Sequence, residues 1–201
     1  QKITGIRLYK SLFFFPFVIS QIVVGLVFSW FYDPTFGLFT KAIGLVGLEI
    51  KGGVLGNPTA VTYGIIAAGL WPQTAYCMIL YLTGLNSVDP EQVEAARLDG
   101  AKGWKMLWYV IIPQLKPATF IAFVVTIVGA LRSFDLISIM TRGGPFGQSR
   151  VLSYYMFEKA LSEYGFRMGY GAAIAVVLFM IMLVFIAYFL WSMYQEEKGA
   201  H

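Results

Sequence analysis

SLFFFPFVISQIVVGLVFSWFY, residues 11–32, carries no charged side chain. As one helix these 22 residues would run about 33 Å at 1.5 Å per residue. A bilayer's hydrocarbon core is about 30 Å thick, so the stretch has the length to cross it. Three more apolar stretches follow at 60–85, 118–140 and 169–194, and Arg132 and Asp135 interrupt the one at 118–140. Lipid offers no water to unpaired backbone N–H and C=O groups, so each span is expected to be helical. The expected fold class is therefore all-α, a polytopic transmembrane helical bundle in one domain over residues 1–201.

Composition agrees. Hydrophobic residues make up 58% of the chain and charged residues 13%, against about a quarter charged in soluble domains. Mean hydropathy is +0.68. The net charge of +4 is scattered through loops, which suits flanks facing membrane lipid and leaves no stripe for a nucleic acid. Cys77 is the single cysteine and His201 the single histidine. That excludes a disulfide within the chain, a Cys/His metal cluster and histidine-based catalysis. The chain starts at Gln1 with no signal peptide before the first apolar run, and a start internal to a longer protein is expected.

Alternating spans put the N-terminus, residues 86–117 and the C-terminus on one side. Lys2, Arg7, Lys10, Arg97, Lys102, Lys105, Lys116 and Lys198 lie there. Lys41, Lys51, Arg142, Arg150, Lys159 and Arg167 lie on the other. The small basic excess favours the first side as cytoplasmic. Pro16 and Pro72 fall inside spans and mark either ordinary kinks or irregular backbone along a transport path. Gly25 with Ser29, Gly64 with Ala68, and Gly165 with Gly169 and Ala173 have the small-residue spacing of close helix packing. Residues 149–164 read as an interfacial helix capped by Ser149, with Leu152, Tyr155 and Met156 on one face.

The cytoplasmic loop 86–117 is the most informative segment. Asp89 can cap a helix, Pro90 suits its first position, and Gln92 stands where a capping box places it. Gly100 can stop that helix in a left-handed conformation. Trp104, Leu107, Trp108 and Ile111 then fall at i, i+3, i+4 and i+7, one apolar stripe ended by Pro113. This predicts a helix–turn–helix with an apolar face. The pattern alone fits a helix lying on lipid headgroups and a docking element for a partner's groove equally well.

Glu94-Ala95-Ala96, then Gly100, then Val110-Ile111-Ile112-Pro113 resembles the coupling-loop signature of ABC importer permeases. That signature is Glu-Ala-Ala, Gly, then Ile-x-Leu-Pro, so Val110 and Ile112 are mild departures, and Asp99-Gly100-Ala101 also matches. Leu12–Pro16, Phe134-Asp135 and Thr141-Arg142-Gly143-Gly144-Pro145 extend the resemblance to the maltose and glycerol-3-phosphate type of permease over nearly the whole chain. The resemblance implies a type I importer permease with a cytoplasmic coupling helix-turn-helix, multi-pass in a bacterial plasma (inner) membrane and lacking N-terminal spans. It implies a second homologous permease subunit, two ATPase subunits carrying ATP and Mg, and an extracytoplasmic substrate-binding protein. The cargo would be a sugar or polyol.

The chain has no G-x-x-x-x-G-K-[ST] phosphate cradle, so it is expected to be no enzyme and to hold no cofactor. Glu94, Ala95, Ala96, Asp99, Gly100 and Pro113 are the residues expected to couple to the ATPase. Glu94 would either pair with a basic residue there or act as a favourable charge in the first helical turn. Polar groups within spans are functional candidates because they are costly in lipid. Gln21, Gln73, Arg132, Ser133 and Asp135 are such groups, with Phe17, Trp71 and Tyr76 as aromatic neighbours able to stack on sugar rings. Phe17 with Gln21, Gly129 with Ser133, and Gln73 with Tyr76 have the spacing of a shared helix face. The resemblance places these six on the substrate path. Arg132 and Asp135 would form an ion pair or a gate.

Two other classes remain open. A secondary transporter or channel would want buried carboxylates in several spans, and Asp135 is the one carboxylate inside a span. A membrane-embedded enzyme would want a catalytic cluster, and no intramembrane histidine, cysteine pair or carboxylate dyad is present.

Overall fold

The computed structural model describes residues 6–47, 50–162 and 164–199. Lys2 and His201 lie outside them. Among the described residues every regular element is helical. The contacts divide the chain into two compact units. One comprises residues 1–17 and 72–126, the other 18–71 and 127–201.

The first apolar stretch is not one helix. Helix α1 (Ile6–Val18) ends two residues after the buried Pro16, and α2 (Gln21–Phe31) starts afresh behind Ser20. Ser20 Oγ accepts from Val23 N at 3.4 Å, a long capping bond. Proline removes a helical hydrogen bond, and serine offers the backbone an alternative partner. Together they explain why the expected 33 Å rod is broken. A sharp turn follows at Asp33, whose carboxylate accepts from the hydroxyl and N–H of Thr35 and from Phe36 N. The Thr35 hydroxyl, then its N–H, hold the Asp33 carboxyl below its ordinary range. Short helices α3 (Leu38–Leu45) and α4 (Gly53–Gly56) precede α5 (Val61–Leu85), which runs through Pro72 without interruption.

Beyond α5 come α6 (Pro90–Leu98), α7 (Trp104–Gln114) and α8 (Lys116–Leu131). The third apolar stretch breaks at residues 132–134, and α9 (Asp135–Met140) follows. Helix α10 (Leu152–Phe157) continues into a widened turn at Glu158–Ser162, and α11 (Met168–Gly199) closes the described chain. Among the described residues two helices, Val61–Leu85 and Met168–Gln195, are long and apolar enough to cross a membrane. The number rises to four if α1 with α2 and α7 with α8 each count as one bent span.

The second unit holds the core: Val24, Tyr32, Val54, Val61, Ile65, Ala68, Leu136, Ile137, Met140 and Tyr154. Two of the three small-residue pairings serve it. Gly25 is buried in α2, where an added Cβ would stand 3.2 Å from Ile139 Cγ2. Gly64 faces Val54, with Ala68 fully buried one turn on. Gly165 and Gly169 face nothing within 4 Å. The helix start expected at Ser149 is also corrected. Ser149 caps no helix; it is buried, its hydroxyl donating to Gly144 O at 2.6 Å. Val151 precedes the helix, α10 packs on α11, and Leu152, Tyr155 and Met156 are half-buried. Arg150 forms an ion pair with Glu158 in that segment, at 2.9 Å.

Candidate functional site

The first unit contains both the loop 86–117 and part of the expected substrate path. Asp89 caps α6 as the sequence predicts, its Oδ1 accepting from Glu91 N at 2.9 Å. The capping box is not closed by Gln92. Instead Gln114 Oε1 accepts from Asp89 N at 2.8 Å, and Gln114 Nε2 donates to Gln92 Oε1 at 3.2 Å. One glutamine from the end of α7 thus clasps the start of α6. Its 25-residue separation from Asp89 hides it from any local pattern.

The far end of α6 closes as a Schellman motif. Gly100 N donates to Arg97 O at 3.1 Å and Ala101 N to Ala96 O at 2.9 Å. This satisfies carbonyls the helix would otherwise leave unpaired. Gly100 has φ +83°, the left-handed value the motif requires. Both ends of the nine-residue helix are therefore fixed within the loop, while Glu94, Ala95, Arg97, Leu98, Asp99 and Gly100 are exposed and Ala96 is half-buried. A Cβ at Gly100 would meet nothing within 4 Å.

The second loop helix differs from its expected form. Pro113 does not end it; α7 continues to Gln114 through a widened turn at Leu107–Ile111. Proline at 113 leaves Tyr109 O without its usual i+4 donor, and widened turns accommodate such a mismatch. The chain then bends by 67° into α8. Met106 and Leu115 are buried, whereas Trp104, Trp108 and Tyr109 are 75%, 60% and 79% exposed. The stripe of tryptophans faces outward.

Of the six path residues, the structure brings three together in the first unit. Phe17 and Tyr76 stack with ring centroids 5.5 Å apart. Gln73, one turn before Tyr76 on α5, donates from Nε2 to Thr126 Oγ1 at 2.8 Å and, at 3.7 Å, to Cys77 Sγ. Because the two rings stack on each other, the pair forms a wall rather than two free stacking faces. Gln21, Gly129 and Ser133 belong to the second unit. Phe17 and Gln21 share no helix face, because the break at residues 19–20 separates them. Ser133 lies past the end of α8 and so does not share a face with Gly129. Its carbonyl accepts from Ser153 Oγ at 2.9 Å. Trp71 packs against Phe28 at 6.0 Å. Arg132 and Asp135, both exposed, do not form the ion pair expected of them, since the helix is interrupted between them.

Thr126 escaped the sequence reading. It is a polar residue in an apolar run, which is a functional signal in a membrane. Threonine dilutes that signal because its hydroxyl commonly bonds back to its own helix, and here it donates to Ala122 O at 2.7 Å. Among the described residues no group of three or more His, Cys, Asp and Glu side chains could hold a metal.

Residues 5–195 match the family described as "Binding-protein-dependent transport system inner membrane component". A probable ABC transporter permease protein of Pyrococcus horikoshii is 37% identical over 94% of this chain and 65% of its own length. The trehalose/maltose transport system permease protein MalF of Thermococcus litoralis is 28% identical over 92% of this chain and 61% of its own. A chain of a bacterial alginate ABC transporter, solved in complex with an alginate pentasaccharide-bound periplasmic protein, superposes with a TM-score of 0.79. It is 22% identical over 91% of this chain and 63% of that one. This chain spans less than two thirds of the length of each of the three. The last likeness gives the fold: an all-helical ABC importer permease bundle.

Proposed function

Since the chain belongs to the family of binding-protein-dependent transport system inner membrane components, and so is a membrane protein, we propose that it forms half of the translocation path of an ATP-driven importer for a sugar or polyol. A second, homologous permease subunit supplies the other half. Two ATPase subunits bind ATP and Mg and do the hydrolysis, and an extracytoplasmic binding protein delivers the cargo. The chain itself carries no cofactor and catalyses nothing. It sits, multi-pass, in the plasma (inner) membrane of a bacterium, and α1 with α2 and α7 with α8 count as bent spans.

The observation that carries this reading is α6. A nine-residue helix in water is too short to hold itself together, yet this one is capped at both ends from within the loop and leaves Glu94, Ala95, Asp99 and Gly100 exposed. A pre-formed, exposed helix loses little entropy on docking, which suits an element that must engage a cleft on every transport cycle. Pro113 has its part through the widened turn that orients the loop. Gln73, Tyr76 and Phe17, which the first unit brings together, are the path residues we propose on contact, and Gln21, Gly129 and Ser133 are proposed on the resemblance alone. The experiment is co-purification of the ATPase with the wild-type complex and with Gly100→Val. The wild type should retain it and the variant lose most of it while still inserting in the membrane. Equal retention in both would remove the coupling role of this loop.

A further inference from the structure

The hydrogen bonds around Gln73 fix which end of its amide is free. A threonine hydroxyl has one proton and two acceptor lone pairs. The proton of Thr126 is committed to Ala122 O at 2.7 Å. Toward Gln73, therefore, Thr126 Oγ1 can only accept, and the Gln73 NH2 must face it, as it does at 2.8 Å. The second amide proton points at Cys77 Sγ, 3.7 Å away, a weak acceptor. Both donors of the Gln73 amide are thus used within the first unit. Among the described residues no donor reaches Gln73 Oε1, and the side chain is only half-buried. Reversing the amide would set its carbonyl oxygen against the lone pairs of Thr126 or draw the hydroxyl proton away from Ala122 O, so the hydroxyl acts as a latch that favours one orientation.

We infer that Thr126 is a positioning residue that presents Gln73 Oε1, and not its NH2, to the transported molecule, so this point of the path reads a hydroxyl donor. The inference rests on the sugar-permease reading above and deepens it. A cargo group that can only accept, such as a fluorine or a methyl ether, meets an acceptor at Gln73 and is rejected. Without the latch the amide turns freely, and donors and acceptors are tolerated alike.

The test is uptake by the intact transporter of radiolabelled trehalose and maltose, each compared with its mono-deoxyfluoro analogues. In the wild type one fluorinated position should lower uptake efficiency about tenfold, the worth of one hydrogen bond. Thr126→Val is nearly isosteric but cannot accept a hydrogen bond. It should shrink that ratio to about twofold or less, while Thr126→Ser restores it. Gln73→Leu should also flatten it, and Thr126→Val added to Gln73→Leu should change nothing more. Membrane abundance of each variant separates selectivity from folding, because a purely structural Thr126 would alter amount and not the hydroxyl-to-fluorine ratio. If Thr126→Val keeps the wild-type ratio, or if no fluorinated position is discriminated, the latch is overturned and the permease reading stands. If the wild type takes up neither disaccharide, nor any sugar of a radiolabelled panel of mono- and disaccharides, the sugar assignment falls and the inference with it.

Discussion

Gly100 sits at φ +83°, where a β-branched side chain costs about 1–2 kcal/mol. Nothing in this chain stands within 4 Å of its would-be Cβ, so the internal cost of a substitution is backbone strain alone. That separates two causes of failure. Gly100→Asn tolerates the left-handed conformation and should fold normally. If the ATPase closes on this position, Gly100→Asn should still lose uptake and co-purification, as Gly100→Val does. Full activity in Gly100→Asn with loss in Gly100→Val would show that only the turn matters. Glu94→Ala should be milder than either, lowering uptake a few-fold, because one exposed charge is removed and the docked shape kept. If Gln73 and Tyr76 line the transport path as proposed, Gln73→Ala and Tyr76→Ala should each weaken uptake about five- to tenfold, the worth of about 1 kcal/mol or more, with assembly intact. Unchanged uptake in both would take those residues off the path.

Gln114 belongs to the scale of elements, because it ties the first turn of α6 to the last turn of α7. Gln114→Leu removes two hydrogen bonds, at 2.8 and 3.2 Å, and leaves Asp89 N without its partner. The cost should be about 1 kcal/mol, felt locally. Hydrogen exchange across residues 89–98 should quicken while α5 and α8 stay protected. Unaltered exchange there would show that Asp89 and Gly100 suffice to hold α6. Helix contact makes a second prediction. An added Cβ at Gly84 would stand 2.8 Å from Ala118 Cβ, so Gly84→Val should destabilise the protein by about 1–3 kcal/mol and lower its melting temperature in detergent.

Elements also show where sequence reading works. The cap at Asp89 and the stop at Gly100 were legible because both depend on neighbours within a few residues. So were α5 and the long last helix, from continuous apolarity. The breaks at residues 19–20 and 132–134 were harder to see. Pro16, Ser20, Arg132 and Asp135 each signalled trouble, but apolarity averaged over 22 residues concealed two helix ends. Trp104 and Trp108 are both exposed, and a periodic stripe does not say whether its face is covered by the same chain or left for a partner. The Gln73–Thr126 bond joins residues 53 apart on two helices, and spacing carries no information about it.

At the scale of the whole molecule, the surface of the last helix is the main physical fact. Only 11% of its most apolar window is buried, and Val176, Phe179, Met180, Val184, Tyr188 and Trp191 are exposed. Lipid, a second subunit or further spans of a longer chain cover such a face in a membrane protein. The account expects the first two, with a permease partner of different sequence, so mass measurement of the intact complex should find two permease species; one species in an active complex would contradict that pairing. The central claim is that transport through this chain is driven by ATP on other subunits and fed by a binding protein. It is tested most directly by uptake of a panel of radiolabelled mono- and disaccharides into proteoliposomes holding the purified complex, with ATP and binding protein supplied or withheld. Uptake of at least one sugar is expected only when both are present, unaffected by collapsing the proton and sodium gradients. Uptake without ATP that follows an ion gradient would contradict it and point to a secondary transporter.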